Sequence, residues 1–136
     1  MYEFSIEAGK VREFALATQS DNSAYRSKDA VIPGTFLTTA FMVWEPPGEP
    51  GMADLGFDLA RVLHGEEEFT FHGPLPTAGQ TLQVTSRLGD RTVKEGKRGG
   101  SMTIADVVHE FRGDDGTLVA TQRTVLIETA NAPEVD

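Results

Sequence analysis

The sequence predicts an α+β domain in which helical segments precede a run of antiparallel strands. Two observations predict this class: apolar residues recur every three or four positions in the first third of the chain, and they alternate with polar residues from residue 61 onward. The length of 136 residues suits a single core. We therefore expect one domain over 1–136, with a frayed acidic tail over 131–136.

The first helix is predicted near residues 9–19. Val11, Phe14, Ala15 and Thr18 follow i, i+3, i+4, i+7 spacing, which places mainly apolar side chains on one helix face. Residues 19–33 mix polar residues and proline without a period and indicate a loop.

A second helix, buried on nearly all sides, is predicted over 36–44. Apolar residues there fall on almost every face, as is typical of a helix enclosed by protein. Glu45-Pro46-Pro47 ends this helix, because a residue that precedes proline is disfavoured in helical conformation. The next residues, 48–56, indicate a loop.

Strands are predicted around 69–72 and 82–85, over 102–111 and over 118–128, because apolar and polar residues alternate there. The turn residues of 113–116 join the last two strands, and residues 96–100 similarly join the strand before them to the strand after them.

Composition excludes several classes of function. The net charge of -9 opposes binding to nucleic acid, and the absence of cysteine excludes disulfides, thiolate nucleophiles and thiolate metal sites. The most apolar stretch, 36–44, is too short to span a bilayer, and the first residues do not resemble a signal peptide. We expect a cytoplasmic protein with no membrane or nucleic-acid partner.

No metal site is predicted from the histidines. His64 and His72 are eight strand residues apart, roughly 26 Å along an extended chain, so they cannot share an ion. His109 is predicted to be an ordinary histidine of the sheet. The glycines of 96–100 lack the Gly-Lys-Ser/Thr of a phosphate-binding P-loop.

Four motifs in order carry a family resemblance: Leu63-His64-Gly65-Glu66, then Phe69-Thr70-Phe71-His72-x-Pro74-Leu75, then Ala78-Gly79-x-Thr81-Leu82, then Gly116-x-Leu118-Val119-Ala120-Thr121. Together they resemble the MaoC-like dehydratase family, in its FAS1-like N-terminal branch. The resemblance runs from about Val11 to Ile127. It implies a hotdog fold, in which a curved antiparallel sheet of five or six strands wraps around one long buried helix.

The resemblance also implies a chemistry that this chain lacks. Catalytic relatives interconvert trans-2-enoyl and (3R)-3-hydroxyacyl thioesters with an aspartate and a histidine in the motif Gly-Asp-x-Asn-Pro-x-His. Matching that motif on Asn22 puts Ser20 at the aspartate and Tyr25 at the histidine. A serine holds no negative charge near neutral pH, and a tyrosine with an ordinary pKa near 10 is a poor base there. We expect no catalytic residue, with Asp21 as a weak fallback.

Substrate contacts are carried over from the family residue by residue. Pro33-Gly34-Thr35-Phe36 matches the family's helix entry, where a backbone N–H such as that of Gly34 polarises the thioester carbonyl. Two other interpretations stay open: Asn22 and Tyr25 hold a loop together, and Phe36 belongs to the core. The residues expected to contact substrate are Asn22, Tyr25, Gly34, Thr35, Phe36 and His64.

A basic cluster stands out on this acidic chain. Arg87, Arg91, Lys94, Lys97 and Arg98 bring five of the 12 basic residues within a dozen positions. One interpretation is a solvated hairpin, and the other is an anion site. In the second interpretation Arg87, Lys94, Lys97 and Arg98 bind the phosphates of the thioester.

The whole pattern resembles the non-catalytic subunits of heteromeric (3R)-hydroxyacyl-thioester dehydratases in fatty-acyl and sterol side-chain metabolism. The expected ligand is an acyl thioester of coenzyme A or acyl carrier protein, with no cofactor. The expected partner is a MaoC-like hotdog chain with an intact Asp/His pair, or otherwise a second copy of this chain. The alternatives are a homodimeric hydratase that uses Asp21, a hotdog thioesterase that uses Glu66, and a stand-alone acyl-thioester binding protein.

Overall fold

The computed structural model describes residues 1–96 and 100–131. One α-helix and five strands form its regular structure, which confirms the α+β class. Helix α1 spans Ala8–Ala17. The strands are β1 (Tyr2–Ser5), β2 (Val62–Phe71), β3 (Thr81–Glu95), β4 (Ser101–Arg112) and β5 (Leu118–Glu128). They form one antiparallel sheet in the order β1-β3-β4-β5-β2.

The helix near residues 9–19 is confirmed with slightly different ends. Val11 and Ala15 are buried on α1, whereas Thr18 is exposed and already belongs to the helix cap. The apolar face of α1 is therefore short. Val11 and Ala15 are buried, and Phe14 is partly buried against the core.

Strand β1 was not among the predicted strands. Tyr2, Phe4 and Ile6 alternate with polar residues, and all three are buried. This is the period-two signal of a strand, but only four residues carry regular pairing, with Tyr2 opposite Val84 on β3. Such a short repeat at the chain's start is easily overlooked beside the stronger helix pattern that follows.

The predicted buried helix over 36–44 differs from a regular α-helix. Its first turns close through bonds three residues apart, such as Phe36 N–H to the Pro33 carbonyl at 2.9 Å. It ends in a π-turn over Ala40–Trp44, where the Glu45 N–H donates to the Ala40 carbonyl at 3.1 Å. Phe36, Leu37 and Ala40 are buried, but Met42 is 71% exposed. Apolar composition therefore overstated the burial of this segment.

The predicted hairpin between β4 and β5 is present, whereas residues 97–99 of the predicted turn over 96–100 lie outside the described residues. The Gly96 N–H donates to the Gly100 carbonyl at 2.8 Å between β3 and β4. Between β4 and β5, the Gly116 N–H donates to the Gly113 carbonyl at 2.9 Å, and Gly116 has a φ of 82°, where glycine is favoured. The Asp115 carboxylate accepts from both the backbone and the hydroxyl of Thr117, which fixes the turn.

The chain divides into two compact units. The first comprises Met1–Glu49, Phe69–Thr85 and Glu110–Gln122, and its core is built on Phe4, Phe36 and Phe111. The second comprises Pro50–Glu68, Ser86–His109 and Arg123–Asp136, with Leu55, Ala105, Val107 and Leu126 as its buried apolar cluster. One domain over 1–136 stays a prediction.

Candidate functional site

A cleft beside the C-terminal end of α1 brings together Ser20 and Tyr25, the two residues predicted to occupy the family's catalytic positions. Its volume is about 310 Å³, which is at the lower end of the range of about 300–1,000 Å³ for small-molecule sites. Six side chains line it: Arg12, Ala15, Leu16, Ser20, Tyr25 and Arg26.

The end of α1 positions Ser20. Gln19 adopts a left-handed backbone with φ of 56°, and its N–H donates to the Leu16 carbonyl at 3.0 Å. The Ser20 N–H then reaches back to the Ala15 carbonyl at 2.8 Å. These two bonds form a Schellman motif, the common way in which a helix satisfies its last carbonyls. The chain therefore folds back at Ser20 and holds it against the helix face.

Tyr25 is positioned by a short 3₁₀ turn. The Asn22 side chain accepts the Ala24 N–H at 3.0 Å, and the Tyr25 N–H donates to the Asn22 carbonyl at 3.2 Å. The Tyr25 ring is half-buried against the core of the first unit. Asn22 thus holds the loop by side-chain hydrogen bonding, as one interpretation of the sequence predicted.

Among the described residues, the cleft lining contains neither a carboxylate nor an imidazole. Asp21 does not line the cleft: its side chain is fully exposed, and Oδ1 lies 3.8 Å from Nη2 of Arg26. Ser20 and Tyr25 supply neutral hydroxyls instead. The described lining of the cleft therefore offers hydrogen bonds and positive charge.

The helix entry combines an exposed turn with a buried anchor. Gly34 and Thr35 are exposed, whereas Phe36 is 1% exposed and packs edge-on against Phe14 at a centroid distance of 5.5 Å. Phe36 belongs to the core, and it also forms the floor of a groove of about 170 Å³ between α1 and the turn that follows Phe36. The two interpretations of Phe36 are therefore compatible.

His64 lies in the second unit and is exposed on β2. Its Nε2 is 2.8 Å from Oε2 of Glu67, whose other oxygen accepts the Thr124 hydroxyl at 3.0 Å. His72 lies in the first unit and is 3.0 Å from the Thr121 hydroxyl. Each histidine therefore has its own partner in the sheet.

Glu66, the carboxylate considered for a thioesterase, is also exposed on β2. Nη1 of Arg123 lies 3.3 Å from it, while Nε of the same arginine donates to Asp106 at 2.9 Å. These hydrogen bonds to Asp106 and Glu66 raise the pKa of Arg123. Oε2 of Glu68 also lies 3.9 Å from Nη1 of Arg123, so Glu66 is one of three carboxylates around a single guanidinium.

His109 is a sheet histidine, as predicted, and it is 2% exposed. Burial lowers its pKa from the ordinary 6.5 to about 4, against the opposing effect of the Glu67 carboxylate. It is therefore neutral at pH 7.

The basic cluster is only partly described. Arg87 and Lys94 are exposed on β3, while Lys97 and Arg98 lie outside the described residues. Arg91 has a structural role instead: Nη1 donates to the Leu55 carbonyl at 2.9 Å, and the guanidinium lies 5.0 Å from the centre of the Phe57 ring. It therefore braces the turn over Met52–Leu55.

Two residues of the cleft were missed by the sequence analysis. Arg12 and Arg26 line the cleft together with Ser20 and Tyr25. A signal was available for Arg12, because Arg12, Ala15 and Leu16 share one helix face by i, i+3, i+4 spacing. For Arg26, only its position next to Tyr25 in the sequence was a clue.

Comparison with known families decides the assignment. The family described as "FAS1-like, dehydratase domain region" matches residues 2–122. The chain belongs to this FAS1-like dehydratase family. A UPF0336 protein of Parafrankia sp. (strain EAN1pec) is 32% identical over 96% of this chain and 87% of its own length. A UPF0336 protein of Streptomyces griseus is 29% identical over 93% and 86%, respectively.

Solved structures confirm the hotdog fold of MaoC-like dehydratases for this FAS1-like chain. The C-terminally truncated HadBC (3R-hydroxyacyl-ACP dehydratase) complex of Mycobacterium tuberculosis matches with a TM-score of 0.62 and 24% identity, over 92% of this chain and 89% of the other. The ChsH1–ChsH2 complex of the same organism gives 0.70 and 14%, over 96% and 82%. A MaoC-like dehydratase gives 0.73 and 22%, over 93% of this chain and 39% of the other. At these identities the likeness establishes the fold.

Two further observations concern the described part of the FAS1-like chain. Within 1–96 and 100–131, no group of three or more His, Asp or Glu side chains is placed to hold a metal ion. No helix in those residues is both long and apolar enough to cross a membrane.

Proposed function

We propose that this chain is the substrate-binding, catalytically degenerate subunit of a (3R)-hydroxyacyl-thioester dehydratase, or enoyl-thioester hydratase, of fatty-acyl or sterol side-chain metabolism. The observation that carries the proposal is the cleft in which Ser20 and Tyr25 lie together, with no carboxylate or imidazole among its described lining residues. The family and the fold supply the reaction class.

The missing groups are the ones that the reaction requires. Hydration of an enoyl thioester adds water across a double bond, so a base must take a proton from water and an acid must deliver one to C2. Each positioned group typically contributes about 10²- to 10⁴-fold. Two neutral hydroxyls replace neither group at pH 7. The chain then contributes binding, and a second chain contributes proton transfer.

We further propose that the partner is a MaoC-like hotdog chain with an intact Asp/His pair. Two solved relatives in fold are two-component assemblies by name, the HadBC and ChsH1–ChsH2 complexes. In this chain β2 lies at one edge of the sheet and exposes Leu63, which is 49% accessible. Exposed strand edges with apolar side chains favour association. Without that partner, the expected assembly is a homodimer.

The substrate contacts that we propose fall into two groups. In the first unit, Tyr25 is in the cleft, Asn22 holds its turn, and Gly34 and Thr35 are exposed at the helix entry above Phe36. His64 on β2 belongs to the second unit. Arg87 and Lys94 on β3 remain the proposed contacts for thioester phosphates, together with Lys97 and Arg98.

The test compares this chain alone, the partner alone, and the co-expressed pair, with crotonyl and long-chain thioesters of both carriers. We expect negligible hydration by this chain alone, and a change in acyl preference when it joins the partner. A gain-of-function variant, Ser20→Asp with Tyr25→His, probes whether the cleft is otherwise complete.

Family-level hydration by the pure chain would contradict the proposal. If Asp21→Asn abolished that activity, the chain would be a homodimeric hydratase. If the chain hydrolysed the thioester and Glu66→Gln abolished that hydrolysis, it would be a thioesterase. Tight thioester binding with no effect on any partner's activity would favour a stand-alone binding protein.

A further inference from the structure

We propose that the cleft beside α1 is a phosphate-ester site, with Arg12 and Arg26 as its cationic ligands and the hydroxyls of Ser20 and Tyr25 as neutral donors. It is distinct from the basic cluster on β3. The binding of phosphate here goes beyond the proposed function and does not depend on it.

The charge of the lining is the first observation. Of the six side chains that line the cleft in the described part of the chain, two are guanidinium groups and none is acidic. On a chain with a net charge of -9, such a concentration of positive charge is the exception. Because the walls of a cleft reduce access of water, charges of one sign there attract a counter-ion more strongly than on an open surface.

The availability of these arginines is the second observation. Three other arginines are engaged at short range: Arg61 with Glu128 at 2.9 Å, Arg112 with Glu110 at 2.7 Å, and Arg123 with Asp106 at 2.9 Å. By contrast, the one ion pair of Arg26 within the described ranges is the loose 3.8 Å contact with Asp21.

Within 1–96 and 100–131, Arg12 forms no ion pair with a carboxylate. A ligand anion would therefore compete with water at Arg12 and with one weak, solvated pair at Arg26. Neither arginine has to give up a short ion pair in order to bind it.

The neutral hydroxyls are the third observation. The Ser20 hydroxyl accepts only a long bond of 3.4 Å from the Asn22 N–H, so its proton is available for donation. An aspartate at this position, as in catalytic relatives, would repel a phosphate. The replacement that removes the acid–base chemistry is therefore the same one that makes the cleft compatible with an anion.

A phosphate ester fits better than a carboxylate because of charge and shape. A phosphate monoester carries a charge of about -1.5 to -2 at pH 7, which two guanidinium groups can match. Arginine also binds phosphate oxygens through two parallel hydrogen bonds. Ala15, Leu16 and the Tyr25 ring provide an apolar wall for the organic part of the ester.

The experiment is calorimetric titration of the full-length chain with 4′-phosphopantetheine, coenzyme A, inorganic phosphate and hexanoate at low and high ionic strength. The test variant is Arg12→Gln with Arg26→Gln. Its matched control is Lys10→Gln with Lys28→Gln, which removes the same charge from positions two residues away on the same helix and loop. Urea midpoints establish that both variants are folded.

We expect 4′-phosphopantetheine to bind and salt to weaken its binding. The arginine variant should lose about 10-fold or more in affinity, because hydrogen bonds to charged groups are the strong ones, while the lysine control should stay within about twofold. Arg12→Lys with Arg26→Lys should fall between, since it keeps the charge but loses the paired geometry.

Three outcomes would overturn the site: no phosphate ligand bound by the folded chain, equal losses in both double variants, or hexanoate bound as tightly as phosphopantetheine. The proposed function fails separately, in the hydration assay of the complex. A complex that needs this chain for activity, but whose chain does not bind phosphate at the cleft, would refute only the present inference.

Discussion

The hydroxyl of Ser86 lies 2.8 Å from Nδ1 of His109, across the neighbouring strands β3 and β4. His109 is 2% exposed, and Glu67 acts on it electrostatically. A histidine in such a place is stable as the neutral imidazole, because burial penalises the charged form. Protonation of the buried His109 side chain is therefore expected to destabilise the second unit.

The first prediction is a loss of stability in mild acid. The pKa of His109 is about 4 when folded and about 6.5 when unfolded, so between these values the unfolded state binds the extra proton. Stability is full above pH 6.5 and falls as the pH drops towards 4, by about 2 kcal/mol at pH 5. Urea unfolding at pH 7 and pH 5 measures this change.

His109→Gln is the control for the acid effect, because glutamine does not titrate. The difference in unfolding free energy between pH 7 and pH 5 should shrink in that variant. Direct NMR titration gives an independent check, and a His109 pKa near 6.5 in the folded protein would refute the prediction.

The second prediction concerns close packing at Gly89. A Cβ added there would lie 2.7 Å from Oδ2 of Asp106, the oxygen that accepts from Arg123. Asp106 must move and its bond must lengthen, so Gly89→Ala should destabilise the protein by about 1–3 kcal/mol. Gly9→Ala on α1 is the control, since a Cβ there meets nothing within 4 Å and alanine favours the helix. Equal effects of the two substitutions would show that Gly89 is not tightly enclosed.

The third prediction concerns Phe36. Its ring packs on Phe14 at 5.5 Å and on Phe4 at 6.0 Å between centroids, so Phe36→Ala leaves a cavity in the first unit. The expected loss is about 3–5 kcal/mol. Met42→Ala is the control, because Met42 is 71% exposed. This substitution should change the free energy of unfolding by less than about 0.5 kcal/mol. A small loss at Phe36, measured by denaturant unfolding, would favour a ligand-facing ring over a core one.

The fourth prediction concerns Arg91 and the turn that it braces. Arg91→Gln removes the bond to the Leu55 carbonyl and the contact with the Phe57 ring, which is worth about 0.5–1 kcal/mol at an accessible site. We expect faster amide exchange over Met52–Leu55, because local opening becomes easier. Lys94→Gln on the same strand removes one charge without this contact. Equal rates of amide exchange over Met52–Leu55 in the two variants would show that Arg91 does not stabilise this turn.

Much of the fold was predictable from local patterns. The alternation around Phe69 and Phe71 predicted part of β2, and the turn residues of 113–116 placed the hairpin between β4 and β5. These signals are reliable because strand period and turn conformation depend on residues that are close in sequence. The π-turn over Ala40–Trp44 was not predictable in this way, because its hydrogen-bond register leaves no distinct apolar period in five residues.

By itself the sequence determined the fold class and the family, and it predicted that Ser20 and Tyr25 replace the acid–base pair. Residue identity and spacing along the chain suffice for those conclusions. Only the tertiary structure brought Arg26 into the same cleft as Arg12, and Ser86 to His109 on the next strand. The reason is physical: periodicity fixes which face of an element a side chain occupies, but which faces meet depends on packing between residues far apart in sequence.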